Sequence, residues 1–490
     1  MTFGPQKAAA SRCIQRLLAA SRNRSQFYSA SRTRLLFHMP FRPLVSSVLR
    51  RMKSSSPAQS IRVPQTLPME VPVDEENVPR YDPEAFYPAN PGDVLNGRFE
   101  LLAKLGWGTS STVWLANDNE WNRWKKSNKF VAIKICTRNI VQNESPHELD
   151  ISIHLSTVKS QHRGRAILGT AIESFVLDSP TGSSHLALVF EPMREPLWLF
   201  RRRIMGQDKA TRPWMPLVKG YIQILLEGLD FLHEQGHIIH TDLKLDNIMV
   251  TFEDQSVIEE FVQGQIQHPM ARKTIGNRTV YRCHNDFGDI DSKERLKNMY
   301  PKITDFGLAQ RGDTPGPHIH PIQPDDCHAP EVILGVGWSY SADIWNFGIM
   351  VWDFLAGQGP FQQSHSHPYS PAEHLAEMIA LLGPVPPTMI QRERSMRRWQ
   401  WSPRVRNARG ELCSNAAEFY GGPFFTNEGE FVRNELVPYT RSLQSEMPDC
   451  IPEDEADRFL KFMRRMLCWL PEDRATAREL KNDPWLSDDI

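Results

Sequence analysis

An aspartate, a lysine two residues on and an asparagine five residues on stand together in Ile239-His240-Thr241-Asp242-Leu243-Lys244-Leu245-Asp246-Asn247, ahead of the apolar run Ile248-Met249-Val250. These residue types at this spacing can converge on one reacting centre. Asp242 can orient a hydroxyl and accept its proton, Lys244 can neutralise a phosphoryl group in flight, and Asn247 can hold a Mg2+ ion. Farther along, Ile303-Thr304-Asp305-Phe306-Gly307 places the Asp305 carboxylate at a predicted strand end, suited to act as the main Mg2+ ligand. The same tripeptide occurs 19 residues earlier as Asp286-Phe287-Gly288. It comes after polar Arg282-Cys283-His284-Asn285 rather than an apolar strand, so its aspartate would not be held rigidly, and Asp305 is the expected ligand.

Two further patterns could hold the phosphate donor. Leu105-Gly106-Trp107-Gly108-Thr109-Ser110-Ser111-Thr112-Val113 lies between two predicted strands. Gly106 and Gly108 lack Cβ, so the backbone there can turn tightly and lay its N–H groups against phosphate oxygens. The next element is a strand rather than a helix, which fails the dinucleotide-binding fingerprint. Val131-Ala132-Ile133-Lys134 puts one cation on a mostly buried strand, where it is costly unless paired. The strand therefore predicts an anion and a carboxylate partner. Glu148 is the expected partner over Glu144 and Asp150, because it begins the spacing Glu148, Ile151, Leu155 along one helical face.

The elements that must position these groups divide the chain. Strands are predicted over Phe99–Leu105, Ser111–Ala116, Phe130–Cys136 and Leu186–Phe190, with a helix at Glu148–Val158 between the last two. Beyond Val218 the apolar spacing turns helical, over Val218–His233, Ser341–Ala356, Ala372–Leu382 and Ala456–Trp469. Strand-rich first and helix-rich second argues an α+β fold with two lobes. From Val63 to Pro91 the prolines are too frequent for helix or central strand, so 63–97 reads as an extended linker. Of the 490 residues, 40% are hydrophobic and 23% charged, a globular balance. No apolar run is long enough for a membrane-spanning helix. Seven scattered cysteines without a paired motif argue against a disulfide framework or structural zinc.

The net charge of −1 conceals a basic arm. Residues 1–69 hold ten Arg and two Lys with no Asp or Glu, leaving 45 basic and 58 acidic residues in the body. Ser-Arg dipeptides recur at Ser11-Arg12, Ser21-Arg22 and Ser31-Arg32. An arm of this kind over 1–62 reads either as a mitochondrial transit peptide or as a disordered basic tail.

With these motifs in order, the sequence resembles the eukaryotic protein kinases from about Arg98 to Leu486. Asp305 lies 26 residues before Glu331 of Ala329-Pro330-Glu331, against 45 for Asp286, which fits an ordinary activation segment. Within the superfamily the chain is similar to the SR-protein kinases, particularly fungal ones. The features are Gly-Trp-Gly-x-x-Ser-Thr-Val-Trp with Ser111 in place of a third glycine, His240-Thr241-Asp242 with Thr for the usual Arg, and a long insert over 251–300. The resemblance implies a bilobal kinase fold over 98–490 and ATP and Mg2+ as cofactors. Lys134 and Glu148 would align the nucleotide under the glycine loop, Asn247 and Asp305 would bind metal, and Asp242 and Lys244 would be catalytic. Phe190 to Met193 would form the hinge against adenine, with Glu191 and Met193 at the nucleotide. Glu331 would pair with Arg474, and Asp343 would brace the catalytic loop. Thr241 removes the need for an activation-loop phosphate to neutralise an arginine.

The resemblance further implies a monomeric serine/threonine kinase acting on Ser in basic Arg/Ser-rich proteins such as splicing factors, without direct nucleic-acid contact, in cytoplasm and nucleus. The mitochondrion is the alternative location if the arm is a transit peptide. The alternative function is a pseudokinase scaffold. Residues 421–457 carry nine acidic residues against Arg433 and Arg441, either as a groove for an Arg-rich peptide or as a solvated loop. Pro324 and Cys327-His328 depart from the usual Thr and Tyr-Arg of the peptide-binding loop, which bears on peptide specificity.

Overall fold

The computed structural model describes residues 63–121, 129–138, 147–180, 182–205, 214–290, 293–361 and 369–487. The basic arm expected over 1–62 lies outside these residues.

Six antiparallel strands make the first lobe: β1 (Val94–Leu95), β2 (Phe99–Gly108), β3 (Ser111–Asp118), β4 (Phe130–Cys136), β5 (Glu173–Asp178) and β6 (Ser184–Phe190), in the order β1-β2-β3-β4-β6-β5. Alternation in β2 sends Phe99, Leu101 and Ala103 into a core shared with Leu115, Ile133 and Ala187. β2 and β3 meet through the two-residue turn Thr109-Ser110, with Gly108 paired to Ser111. Helix α1 (His147–Thr157) turns Ile151 and Leu155, one helical turn apart, into the core of the second lobe, while Leu149 packs on Cys136, Leu186 and Leu188 of the sheet.

The second lobe is helical around α2 (Met215–Glu234) and α3 (Tyr340–Ala356). α3 is buried on nearly every side, including Trp345, Phe347, Trp352 and Leu355, so it forms the centre of the lobe. It stops at Gly357, whose φ of 78° closes the helix without a Cβ clash. The helix expected to reach Trp469 ends at Arg464, where the chain turns. Between the lobes, Ile248–Val250 pairs on one side with Pro301–Ile303 and on the other with Glu195–Pro196. Among the described residues, no helix is long and apolar enough to cross a membrane.

Residues 251–300 and 63–97 are the main surprise. The insert folds into a helix over Ser256–Gln267 and a hairpin of Arg272–Ile275 with Arg278–Tyr281. Its Val257, Ile258, Phe261, Met270, Tyr281 and Phe287 join the core of the first lobe. The reading of 63–97 as a linker is corrected: the segment is locally extended, but it is packed on that hairpin. Thr66 bridges Arg272, and Leu67 and Val73 cluster with Val280. Its acidic run supplies the reason, since Asp74 and Glu75 reach Lys104 while Glu76 pairs with Lys273 at 2.8 Å.

Candidate active site

Strand register assembles the nucleotide side. Gly106 pairs with Val113, Val113 with Lys134 and Lys134 with Leu188, so the glycine turn and the lysine share one row across four strands. A Cβ at Gly106 would meet nothing within 4 Å, so the space beside the turn is open. Lys134 Nζ donates to Glu148 Oε2 at 2.6 Å and to Asp305 Oδ1 at 3.3 Å. Of the rival partners, Asp150 is exposed on the same helix, and Glu144 falls outside the described residues. Burial by itself would lower the Lys134 pKa, but Glu148 and Asp305 together outweigh it and hold the ammonium above its ordinary value.

Asp305 comes just after Pro301–Ile303 and takes a φ of 61°, a left-handed conformation tolerated better by Asp than by most residues. Burial pushes its carboxyl up, whereas Lys134 pulls it down, and the net shift is downward, which keeps it ionised. Asp286 has a different fate. Phe287 beside it is buried in the first lobe's core, packed against Phe261 and Phe252, and Asp286 itself is exposed, near Arg203.

The loop before Ile248 supplies the chemistry side. Asp242 accepts from Lys244 Nζ through both carboxylate oxygens at 2.9 Å, and from Asn247 Nδ2 through Oδ2 at 2.7 Å. Asn247 Nδ2 also donates to the Asp242 carbonyl at 2.9 Å, so Oδ1 is the side-chain atom of Asn247 left for a cation. Among the described residues no three His, Cys, Asp or Glu side chains gather as a self-sufficient metal cage. One carboxylate and one amide oxygen fit instead a hard ion that completes its shell with phosphate and water.

Several supports hold this loop. Asp343 on α3 accepts from the backbone N–H groups of His240 and Thr241 at 2.7 and 2.8 Å, as expected. His240 Nδ1 accepts from the Asp242 N–H, which leaves the proton on Nε2 to donate to the Thr304 carbonyl at 2.9 Å. One imidazole thus ties the Asp242 loop to the residue before Asp305. Thr241 Oγ1 donates to the Leu308 carbonyl at 2.8 Å, linking the same loop to the activation segment. Glu331 and Arg474 form the expected bidentate pair at 2.6 and 2.7 Å.

The residues read as the hinge and as the peptide-binding loop lie on the remaining sides. Phe190 ends β6, Glu191 pairs with Lys302 at 2.5 Å, and Met193 is half-buried before the chain enters the second lobe. In the peptide-binding loop, Gln323 carries a φ of 73° and its side chain joins the Ala329 N–H to the Ala342 carbonyl. Pro324 opens a short turn, and Asn346 donates to the Cys327 carbonyl. His328 is buried between the hydroxyls of Tyr369 (2.9 Å) and Tyr420 (3.2 Å), and burial lowers its pKa to about 3. Sequence reasoning missed Gln323, His240 and the two tyrosines. The intervals from Gln323 to Ala342 and from His328 to Tyr420 carry no local signal.

In the acidic stretch 421–457 several carboxylates already have cationic partners. Glu455 is buried against Lys219, Glu446 pairs with Arg441 and Glu435 with Arg433, so part of its charge is spent internally. Glu428, Glu430, Glu453 and Asp457 remain exposed or half-buried at the surface.

A family model for the protein kinase domain matches residues 99–486. A serine/threonine protein kinase of Aspergillus fumigatus is 32% identical over 432 residues, covering 85% of this chain and 91% of that protein. The serine/threonine-protein kinase SRPK of Physarum polycephalum is 28% identical over 440 residues, covering 85% of this chain and 92% of its own length. A solved kinase domain aligns with a TM-score of 0.54 at 20% identity, covering 83% of this chain and 100% of that one, a likeness of fold. Such matches imply use of ATP with a divalent metal, and protein substrates. With the two-lobed architecture, they establish that this chain belongs to the protein kinase family and is a protein serine/threonine kinase similar to the SR-protein kinases.

Proposed function

We propose that the chain, as a monomer, transfers the ATP γ-phosphoryl group to Ser in basic Arg/Ser-rich protein substrates such as splicing factors, with Mg2+ as the metal. The setting is the cytoplasm and nucleus, as the family resemblance implies. The observation that carries the chemistry is Asp242, gripped by Lys244 and Asn247, in a loop tied through His240 to the strand end bearing Asp305.

In this reading Leu105 to Val113 cover the phosphates, Lys134 fixed by Glu148 aligns them, and Glu191 and Met193 border adenine. Asp242 orients the substrate hydroxyl and takes its proton, while Lys244 offsets charge on the transferring phosphoryl oxygens. Asn247 Oδ1 and Asp305 would hold Mg2+, which supplies positive charge against the phosphate oxygens when bound. The SR-type substrate preference is supported by Ser111, Thr241 and the insert, and by relatives such as the Physarum kinase named SRPK.

The test is radiolabelled transfer from ATP·Mg2+ by the full chain and by Asp242→Ala, offered an Arg/Ser-repeat peptide and a basic protein without such repeats. Preferential labelling of the repeat peptide is expected, falling by about 10²–10⁴-fold in the variant. Labelling of the basic protein alone would overturn the substrate reading. Labelling undiminished by Asp242→Ala would overturn the assigned base.

A further inference from the structure

Lys104 lies two residues before Gly106, and its side chain is 1% exposed. A buried ammonium needs all three of its hydrogens satisfied. Here they are met by Glu75, by Asp74 with Oδ2 at 3.1 Å, and by the Tyr281 carbonyl at 2.9 Å. The backbone of Lys104 is also held. Its N–H donates to Met270 Sδ and its carbonyl accepts from the His284 N–H at 2.8 Å. These contacts fall where the β2–β3 register shifts between Lys104 and Gly106. A bulge of this kind bends the strand and re-aims the residues beyond it. Three stretches far apart in sequence therefore meet at the root of the glycine turn.

The outer two stretches are also fastened to each other. Asp74 accepts from the Cys283 N–H, and Lys273 donates to the Val71 carbonyl at 2.7 Å. Arg278 donates to the carbonyls of Pro83 and Phe86, and Tyr281 OH to Asn90. Tyr281 packs edge-on against Trp114, the cross-strand partner of Lys104.

We infer that Lys104 is a positioning residue for nucleotide binding, through which 63–97 and the insert hairpin together aim the glycine turn at the ATP phosphates. The inference rests on the proposed phosphate-binding role of that turn. It acts on nucleotide affinity and leaves the peptide side alone, because the clamp ends on β2 and does not touch the loop bearing Asp242.

The experiment uses the full chain and four variants: Lys104→Met, Lys104→Arg, the charge-free triple variant Asp74→Asn/Glu75→Gln/Lys104→Met, and Arg278→Ala. Kd for a fluorescent ATP analogue is measured directly, with KM for ATP, KM for peptide and kcat alongside. The triple variant should bind nucleotide roughly tenfold more weakly, with peptide KM and kcat at saturating ATP within about twofold of the parent. Lys104→Met should lose at least as much, and Lys104→Arg, which keeps the charge, should recover part of the affinity. Arg278→Ala should shift Kd the same way by a smaller factor, and it decides the matter if the buried variants do not fold. Unchanged nucleotide Kd in the folded triple variant, or in Arg278→Ala if the triple variant fails to fold, overturns the inference. Equal losses in ATP and peptide KM also overturn it. Binding is measured without turnover, so an inactive but nucleotide-binding parent would defeat the proposed function while this comparison still stands.

Discussion

Each lobe buries a cation against carboxylates, and the two arrangements differ in kind. In the helical lobe, Arg474 spreads its planar fork over both oxygens of Glu331 and gives its remaining hydrogens to the carbonyls of Ser341 and Cys468. In the sheet lobe, Lys104 offers a point charge to two carboxylates and a carbonyl. The arginine fork fixes orientation as well as distance, whereas the ammonium gathers whatever oxygens surround it. The first pair joins the end of the activation segment to the helical core; the second joins elements outside the sheet to the glycine-turn side of the cleft. The contrast separates a contact that holds the fold from one that tunes a loop.

That contrast can be broken by substitution. Arg474→Ala strands Glu331 as a buried unpaired carboxylate and should cost about 3–5 kcal/mol, a large part of a typical domain's stability. The expected result is a steep drop in denaturant midpoint or failure to accumulate folded protein. A loss under about 1 kcal/mol would mean that the two buried cations are not different in kind.

An effect spread over more than three pH units concerns acid. His328 is held neutral, its pKa lowered from an ordinary 6.5 to about 3 by burial, with His374 adding repulsion and Asp325 and Asp326 opposing. The unfolded chain binds a proton that the folded chain refuses, so stability is intact above about pH 6.5 and declines as pH falls toward 3. The slope approaches about 1.4 kcal/mol per pH unit. Urea midpoints across this range should show that His328→Gln loses this component of the slope; parallel profiles would refute it.

The smallest effect is expected at Thr241. Its hydroxyl bond to Leu308 is neutral, so Thr241→Val should cost about 1 kcal/mol. Phosphatase treatment of the parent should leave its rate within about twofold, since no arginine beside Asp242 awaits a phosphate. A strong loss after phosphatase would show that the helical lobe, too, is held by a tunable contact.

Reading the sequence served best where the groups that meet lie close along the chain. Asp242, Lys244 and Asn247 lie within six residues, and the choice of Asp305 over Asp286 came from the apolar strand before it. Lys134 with Glu148 was legible because a buried strand lysine demands a partner and one helix comes next. Lys104 was not legible. Lys104 follows Ala103 in regular alternation, so it faces the other side of the sheet, and its burial comes from what covers that side: the insert hairpin and a Pro-rich stretch whose carboxylates lie 29 and 30 residues away. Three consecutive acids in that stretch were the available signal. The charge of 421–457 left a groove and a solvated loop both open for the related reason that composition does not reveal which carboxylates are already spent on Lys219 and Arg441.

The insert leaves from Val250 and returns at Pro301, and these two residues are direct cross-strand partners. Its ends are therefore clamped side by side at the seam between the lobes, while its aromatic residues Phe261 and Phe287 are embedded in the sheet lobe. Closing so long a loop instead of a tight turn costs only about 2 kcal/mol of chain entropy, an amount that a few buried side chains offset. Mechanically, the insert is a strap across the hinge. Any rocking of one lobe against the other must stretch it or peel its rings from the sheet, so the amplitude of domain opening is limited by a segment that touches neither reactant.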